Sequence, residues 1–345
     1  MKKILFVTTA LIATASVAAA EVRISGYGRF GYDYNEANKL VAGRSSSNLT
    51  TRLRIQFDMS TETDTGVTFG ARVRAQNENR DNFGPSSSVG GSGLAVFNGA
   101  RFFASYEGFT LQVGNITGAL DSMLGLYTTN TRSFGTGVDG MGFNSVVIKG
   151  AGVDAYSSGG TGVNGMEIIY STGGFTGQLS YSQRNGGAVL GSAGGESRTG
   201  VALNYRFGDY YVAAAYQSSS NGVTAFDTAG ALVELNDGVT VLTAGGDFGN
   251  FGARLAYGMT EAADSITLEG TFDIGAASNV TVWVNDTSAN NVSLIAAGGA
   301  TVVTDGTAAG INYQYDLGGG ATFVAGYVND AAGFDQAQAG VYFSF

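Results

Sequence analysis

The chain has no cysteine and no histidine, a single proline in 345 residues, and only 13% charged side chains. Without cysteine there is no disulfide framework, so an exported chain of this kind must draw its stability from its own sheet. Without either residue, thiol nucleophiles, histidine-based triads and ordinary zinc sites are excluded. Catalysis would have to run through carboxylates or lysine. Charge is scarce overall, about half the usual ~25% of a soluble protein, yet the mean hydropathy is near zero. Basic residues are the scarcer sign, with 18 Lys and Arg against 28 Asp and Glu and a net charge of −10. That balance argues against nucleic acid as a partner. Beyond the first twenty residues there is also no apolar run of about 18, the length a membrane-spanning helix needs.

What is present fits another architecture. Fifty-five glycines and 11% aromatics accompany a two-residue alternation. In residues 335–345, Ala337, Ala339, Val341, Phe343 and Phe345 share one face, while Gln336, Gln338, Gly340, Tyr342 and Ser344 share the other. A strand with one apolar face that ends on aromatics suits an outer-membrane barrel, with the rings at the membrane–water interface. A barrel also reconciles low charge with average hydropathy, because one face meets lipid and the other water. The start of the chain agrees. Lys2 and Lys3 precede an apolar run from Ile4 to about Val17, then Ala18-Ala19-Ala20 and Glu21. This is the layout of a cleaved secretory signal peptide, residues 1–20, ahead of a barrel of residues 21–345.

Alternating segments and turn residues divide the rest of the chain. Seven short turns fall at 61–66, 107–108, 172–174, 208–209, 249–250, 275–278 and 318–320, and eight longer loops lie between them. These fifteen connections predict an all-β fold, a 16-stranded antiparallel transmembrane barrel. An even count brings both termini to one rim, as closure requires. Most strands run about 9–12 residues, enough to cross a bilayer at a tilt of about 45°. Residues 144–164 leave room for an extra hairpin around 146–148, which would make 18 strands; sixteen is the expectation.

With the apolar parity given to lipid, the opposite parity faces the lumen. In the first four strands it is rich in arginine: Arg23 and Arg29, Arg52 and Arg54, Arg72 and Arg74, then Arg101. All but Arg23 fall roughly 6–12 residues from the nearest turn or terminus, near mid-height at about 3.3 Å per residue. The bland reading has them keep the lumen wet and pair with carboxylates such as Asp58. The functional reading makes them half of a transverse field across a constriction. The other half is expected on the longest connection, residues 116–164. It carries Asp121, Asp139 and Asp154, along with Arg132 and Lys149, so its acidic character is weak. Leu120, Met123, Leu124, Leu126, Tyr127 and Phe134 would anchor it to the wall if it folds inward. Tyr27, Phe103, Tyr211 and Trp283 also have lumen parity, but on scattered strands, where they are expected to fill space rather than form a sugar track.

Five features together resemble a general bacterial porin of the alphaproteobacterial type. They are the start EVRISGYGRFGYDYN, the hairpin TTRLRIQFDMSTETDTGVTFGARVRA, the long third loop, the paired segment NGMEIIYSTGGFTGQLSYS and the ending AGVYFSF. The resemblance covers essentially all of residues 21–345. It implies a homotrimer embedded in bacterial outer-membrane lipid, a third loop folded inward to narrow each channel, and passive diffusion of small hydrophilic solutes and ions. The family's basic constriction maps onto Arg29, Arg52, Arg54, Arg72, Arg74 and Arg101, and its acidic loop onto Asp121 and Asp139. So few loop acids departs from the pattern and leaves the sign of ion selectivity open. Family members often bind Ca2+ at acidic loops; no dense carboxylate cluster here requires it, and no cofactor is expected. Gly26 and Gly28 would let neighbouring barrels pack closely, or simply ease strand curvature. The main alternative is a substrate- or anion-selective channel that uses the arginine wall. A plugged structural barrel and an outer-membrane hydrolase are more distant, the latter disfavoured by the lack of histidine.

Overall fold

The computed structural model describes residues 20–40, 42–79, 96–127, 153–158, 161–184, 195–221, 224–226, 232–234, 237–260, 263–289 and 305–345. The expected signal peptide, apart from its last residue, and the extra hairpin considered at 146–148 lie outside these residues.

In chain order the strands are β1 (Glu21–Asn35), β2 (Ser47–Glu62), β3 (Thr68–Asn79), β4 (Val96–Phe97), β5 (Arg101–Tyr106), β6 (Phe109–Asn115), β7 (Asn164–Thr172), β8 (Phe175–Gln183), β9 (Ser197–Phe207) and β10 (Tyr210–Ser220). They continue with β11 (Thr224–Phe226), β12 (Leu232–Glu234), β13 (Val239–Asp247), β14 (Phe251–Met259), β15 (Ala263–Ile274), β16 (Ser278–Ala289), β17 (Gly306–Gly318), β18 (Ala321–Asn329) and β19 (Asp335–Ser344). β11 and β12 pair only with each other, outside the main sheet. β4 and β5 are two pieces of one wall strand, both paired with β3. The wall therefore has sixteen strands, all antiparallel, and β19 returns to β1 from Tyr27↔Ser344 to Asn35↔Gln336. Closure leaves no sheet edge to be hydrated, which is what a spanning sheet needs in hydrocarbon.

Period-two patterning puts each face where it was expected. Val22, Ile24, Leu49, Leu203 and Leu268 are each more than half exposed on the outer surface. Such exposure is favourable only against lipid. Near the short turns, Tyr205, Phe207, Tyr210, Phe248, Phe251 and Phe272 form a chain of ring contacts with centroids 5.1–5.9 Å apart. This is part of an interfacial aromatic belt. A short 3-10 turn, Glu36–Leu40, occupies the first loop.

Two features position the site. The wall strand made of β4 and β5 has a bulge: between Ala75↔Phe97 and Arg72↔Arg101 it spends one more residue than β3. Asn98 fills the gap, with its amide nitrogen donating to the Arg74 carbonyl at 2.9 Å and its Oδ1 accepting from the Arg74 N–H at 2.7 Å. The second feature is the seam. A Cβ on Gly28 would lie 2.3 Å from the Phe343 ring, and one on Gly26 would lie 2.9 Å from the Phe345 ring and 2.3 Å from the Arg54 carbonyl oxygen. Gly26 and Phe345 also exchange both backbone hydrogen bonds, at 2.9 and 3.0 Å. The notches at Gly26 and Gly28 are thus filled by the chain's own terminal rings. They are not open to a neighbouring barrel, and the expectation of close packing there gives way to a role in closure.

Candidate functional site

Strand register brings the lumen arginines together across four adjacent wall strands. Arg29 stands opposite Arg52 on β2, Tyr27 opposite Arg54, and Arg72 on β3 opposite Arg101 on β5. Side by side, bare guanidinium groups would repel. Uncharged groups lie between several of them. Arg52 donates from Nη1 to the Tyr27 hydroxyl at 3.1 Å, and Arg54 donates from Nε to Gln76 Oε1 at 2.7 Å while its head lies 5.0 Å from the Tyr27 ring centre. Tyr27 is itself stacked on Tyr342 at 4.9 Å. Arg74 donates from Nε to Gln56 Oε1 at 2.9 Å and from Nη1 to Ser158 Oγ at 3.2 Å. Arg101 donates from Nη1 to Thr117 Oγ1. Arg72 forms an ion pair with Asp58, the carboxylate singled out from the sequence. Arg29 is the most buried of the set, at 7% exposure.

The long connection enters the lumen in two described limbs. The outgoing limb, residues 116–127, lies on the far wall. Ala119, Leu120, Met123 and Leu126 form one buried cluster with Ala202, Ala213, Ala215, Val239, Val241 and Ala256, with Leu124 and Val153 against it. These small and β-branched residues have lumen parity on β9, β10, β13 and β14, a dry landing strip on an otherwise polar face. Its backbone is held as well. The Ala119 N–H donates to Ser180 Oγ at 3.0 Å, the Leu124 N–H to Asn204 Oδ1 at 2.7 Å, and Thr243 Oγ1 to the Leu124 carbonyl at 2.6 Å. Arg254, ion-paired with Glu269, donates to the Gly125 carbonyl at 3.1 Å.

The returning limb, residues 153–158, crosses to the arginine side. Asp154 is paired at 2.7 Å with Arg198, which also holds Glu196, and all three are at most 6% exposed. The Ser157 carbonyl accepts from Asn98 Nδ2 at 2.5 Å and from Asn115 Nδ2 at 3.0 Å. Tyr156 places its ring 4.3 Å from the Arg74 guanidinium and 4.6 Å from that of Arg101, and its hydroxyl donates to the Arg72 carbonyl at 3.2 Å. The limbs touch where a Cβ on Gly118 would meet Asp154 Cβ at 2.6 Å; φ there is +88°, a conformation that favours glycine.

Of the predicted acidic face, Asp121 lies on the outgoing limb and Asp139 lies outside the described residues. Burial pushes the Asp121 carboxyl up to about 6, against a hydrogen bond from the Tyr127 hydroxyl. Glu167 and Asp154 raise it further, and Arg74 is near enough to pull it down. Asp154 is consumed by its ion pair with Arg198, so it anchors the loop. Tyr127 is 44% exposed, and its hydroxyl donates to Asp121; Phe134 lies outside the described residues. Three of the four lumen aromatics fill space: Phe103 covers Gly70, Trp283 covers Gly310, and Tyr211 is held between Gly245 and Gly125 of the loop; Tyr27 instead partners Arg52 and Arg54. No group of three or more acidic side chains converges to hold a metal ion among the described residues. Tyr156 was missed from sequence, since nothing in its neighbourhood marks which ring will meet which arginine.

A family model described as Gram-negative porin matches residues 7–332. A porin of Fuscovulum blasticum is 31% identical over 332 residues, covering 94% of this chain and all of that protein. A porin of Rhodobacter capsulatus is 28% identical over 340 residues, with 94% and 100% coverage. Among solved structures, a double mutant of Rh. blastica porin superposes with a TM-score of 0.70 at 26% identity, over 94% of this chain and all of that one.

Proposed function

This chain belongs to the Gram-negative porin family, and we propose that its arginine wall and inward loop together set which solutes pass. The protein is an outer-membrane porin, a water-filled channel for passive diffusion of small hydrophilic solutes and ions. Porins are channels rather than enzymes. Arg29, Arg52, Arg54, Arg72, Arg74 and Arg101 form the basic side of the constriction, and Asp121 lies on the loop facing it. A solute in transit meets a positive wall on one side, which attracts anionic groups and turns dipolar molecules before they pass. The observation that carries this reading is the register that gathers the arginines on four adjacent strands, with the uncharged Tyr27, Gln76 and Gln56 among their partners. A homotrimer is part of the proposal and rests on the family.

Single-channel recording in a planar bilayer tests both parts. Wild-type protein is expected to insert in ohmic steps that arrive in threes, with a reversal potential that moves toward cation preference when Arg52 and Arg54 are both changed to Gln. An unchanged reversal potential in that double variant would remove the arginine wall from the selectivity mechanism.

A further inference from the structure

Arg74 and Arg101 differ from Arg72 in having neutral partners. Gln56 and Ser158 serve Arg74, and Thr117 serves Arg101. The one group common to both is the Tyr156 ring, 4.3 Å from one guanidinium and 4.6 Å from the other. An aromatic face attracts a cation without cancelling its charge, which a carboxylate in the same place would do. Tyr156 is in turn fixed from three directions. Asp154, two residues before it, is locked to Arg198; the carbonyl of the following Ser157 is held by Asn98 and Asn115; and its own hydroxyl is tied to the Arg72 carbonyl. The ring belongs to the loop and the arginines belong to the wall.

We propose that Tyr156 is a positioning residue for ion selectivity, holding the charged heads of Arg74 and Arg101 against the wall and so setting how far the positive field reaches into the lumen. This deepens the arginine-wall reading and rests on it. With the ring present, both heads stay within 4.6 Å of its centre; without it, they extend into water and the wall becomes more strongly anion-attracting. It follows that loop placement and wall charge are coupled through one side chain.

The test compares Y156F, Y156L and the double variant R74Q/R101Q, each checked as folded barrel by heat-modifiable mobility, by reversal potential across a KCl gradient. Leucine keeps much of the volume but has no π face, whereas phenylalanine keeps the face and loses the hydroxyl. Y156L is expected to raise the anion-to-cation permeability ratio by about twofold, as release from a partly exposed cation–π contact implies. Y156F is expected to stay at the wild-type ratio, and Y156L added to R74Q/R101Q should give no further shift. A wild-type ratio in Y156L, alongside an altered one in R74Q/R101Q, would overturn the role of Tyr156 and leave the wall intact. No shift in R74Q/R101Q would overturn both. Equal shifts in Y156F and Y156L would assign the effect to the hydroxyl and reject the ring-face argument.

Discussion

Single side chains decide how much charge the lumen presents at a given pH. Asp121 has a carboxyl raised to about 6 by burial. In a folded state that disfavours its ionised form, the group is carboxylate well above that value and neutral below it. Acidification from pH 8 to pH 5 therefore removes a negative charge from the loop, while the arginines keep theirs. The permeability ratio should move toward anions across this window with a midpoint near pH 6, and D121N should sit at the acidic value and lose that step. Reversal potentials taken at intervals of pH check it. The stability sign follows: burying the ionised form costs the fold above about 6, and the cost falls away as pH drops toward the ordinary carboxylate value. Much at this scale was legible beforehand. Parity alone placed Arg52, Arg54, Arg72, Arg74 and Arg101 on one wall, because a strand has only two faces. Parity cannot say what a guanidinium touches. The pairing of Arg54 with Tyr27 depends on register between strands, and that of Arg74 with Tyr156 on where a loop comes back. Likewise parity shows Gly26 and Gly28 as gaps, and only strand register brings the terminal rings of Phe345 and Phe343 over them.

Elements carry the next level of the argument. Strand number and the inward third loop were readable because short Gly- and Asn-bearing turns alternate with longer connections, and because a solvated loop gains nothing from Leu120, Met123 and Leu126. The bulge between β4 and β5 was not readable, since one extra residue in a polar stretch leaves no periodic trace. Yet that bulge supplies Asn98, which receives the returning limb. The outgoing limb has a more expensive fastening. Arg254 and Glu269 are nearly fully buried, and Arg254 also holds the Gly125 carbonyl. Arg254→Met removes the cation paired with the buried Glu269 carboxylate, and the expected loss is about 3–5 kcal/mol. R254M/E269Q removes the buried carboxylate charge as well and should recover most of that stability, but not the hold on Gly125. The two quantities separate in measurement. Thermal unfolding followed by gel mobility should report the recovery, while channel current noise should remain raised in both variants. Quiet channels in both would mean that the apolar cluster and the bonds from Ser180, Asn204 and Thr243 seat the limb without Arg254.

At the scale of the whole molecule, the field across the constriction is long-range and therefore salt-dependent. The Debye length shrinks from about 30 Å at 0.01 M to about 3 Å at 1 M. Selectivity set by the wall should accordingly be strongest in dilute salt and fade toward the bulk mobility ratio at 1 M; a ratio independent of ionic strength would point to steric sieving instead. The molecule also has a mechanical side. In a ring of sixteen strands, β14 stands seven places from β5 and eight from β3. One limb of the loop is fastened at β14 and its neighbours, the other at β3 and the bulge, and the two limbs meet at Gly118 and Asp154. The loop is thus a tie-beam across the diameter. Lateral pressure from the bilayer that would squash an empty cylinder into a slot must here first shear a packed apolar joint, the buried Asp154–Arg198 ion pair and the Arg254 bond to the Gly125 carbonyl, so the aperture keeps its shape while the membrane around it fluctuates.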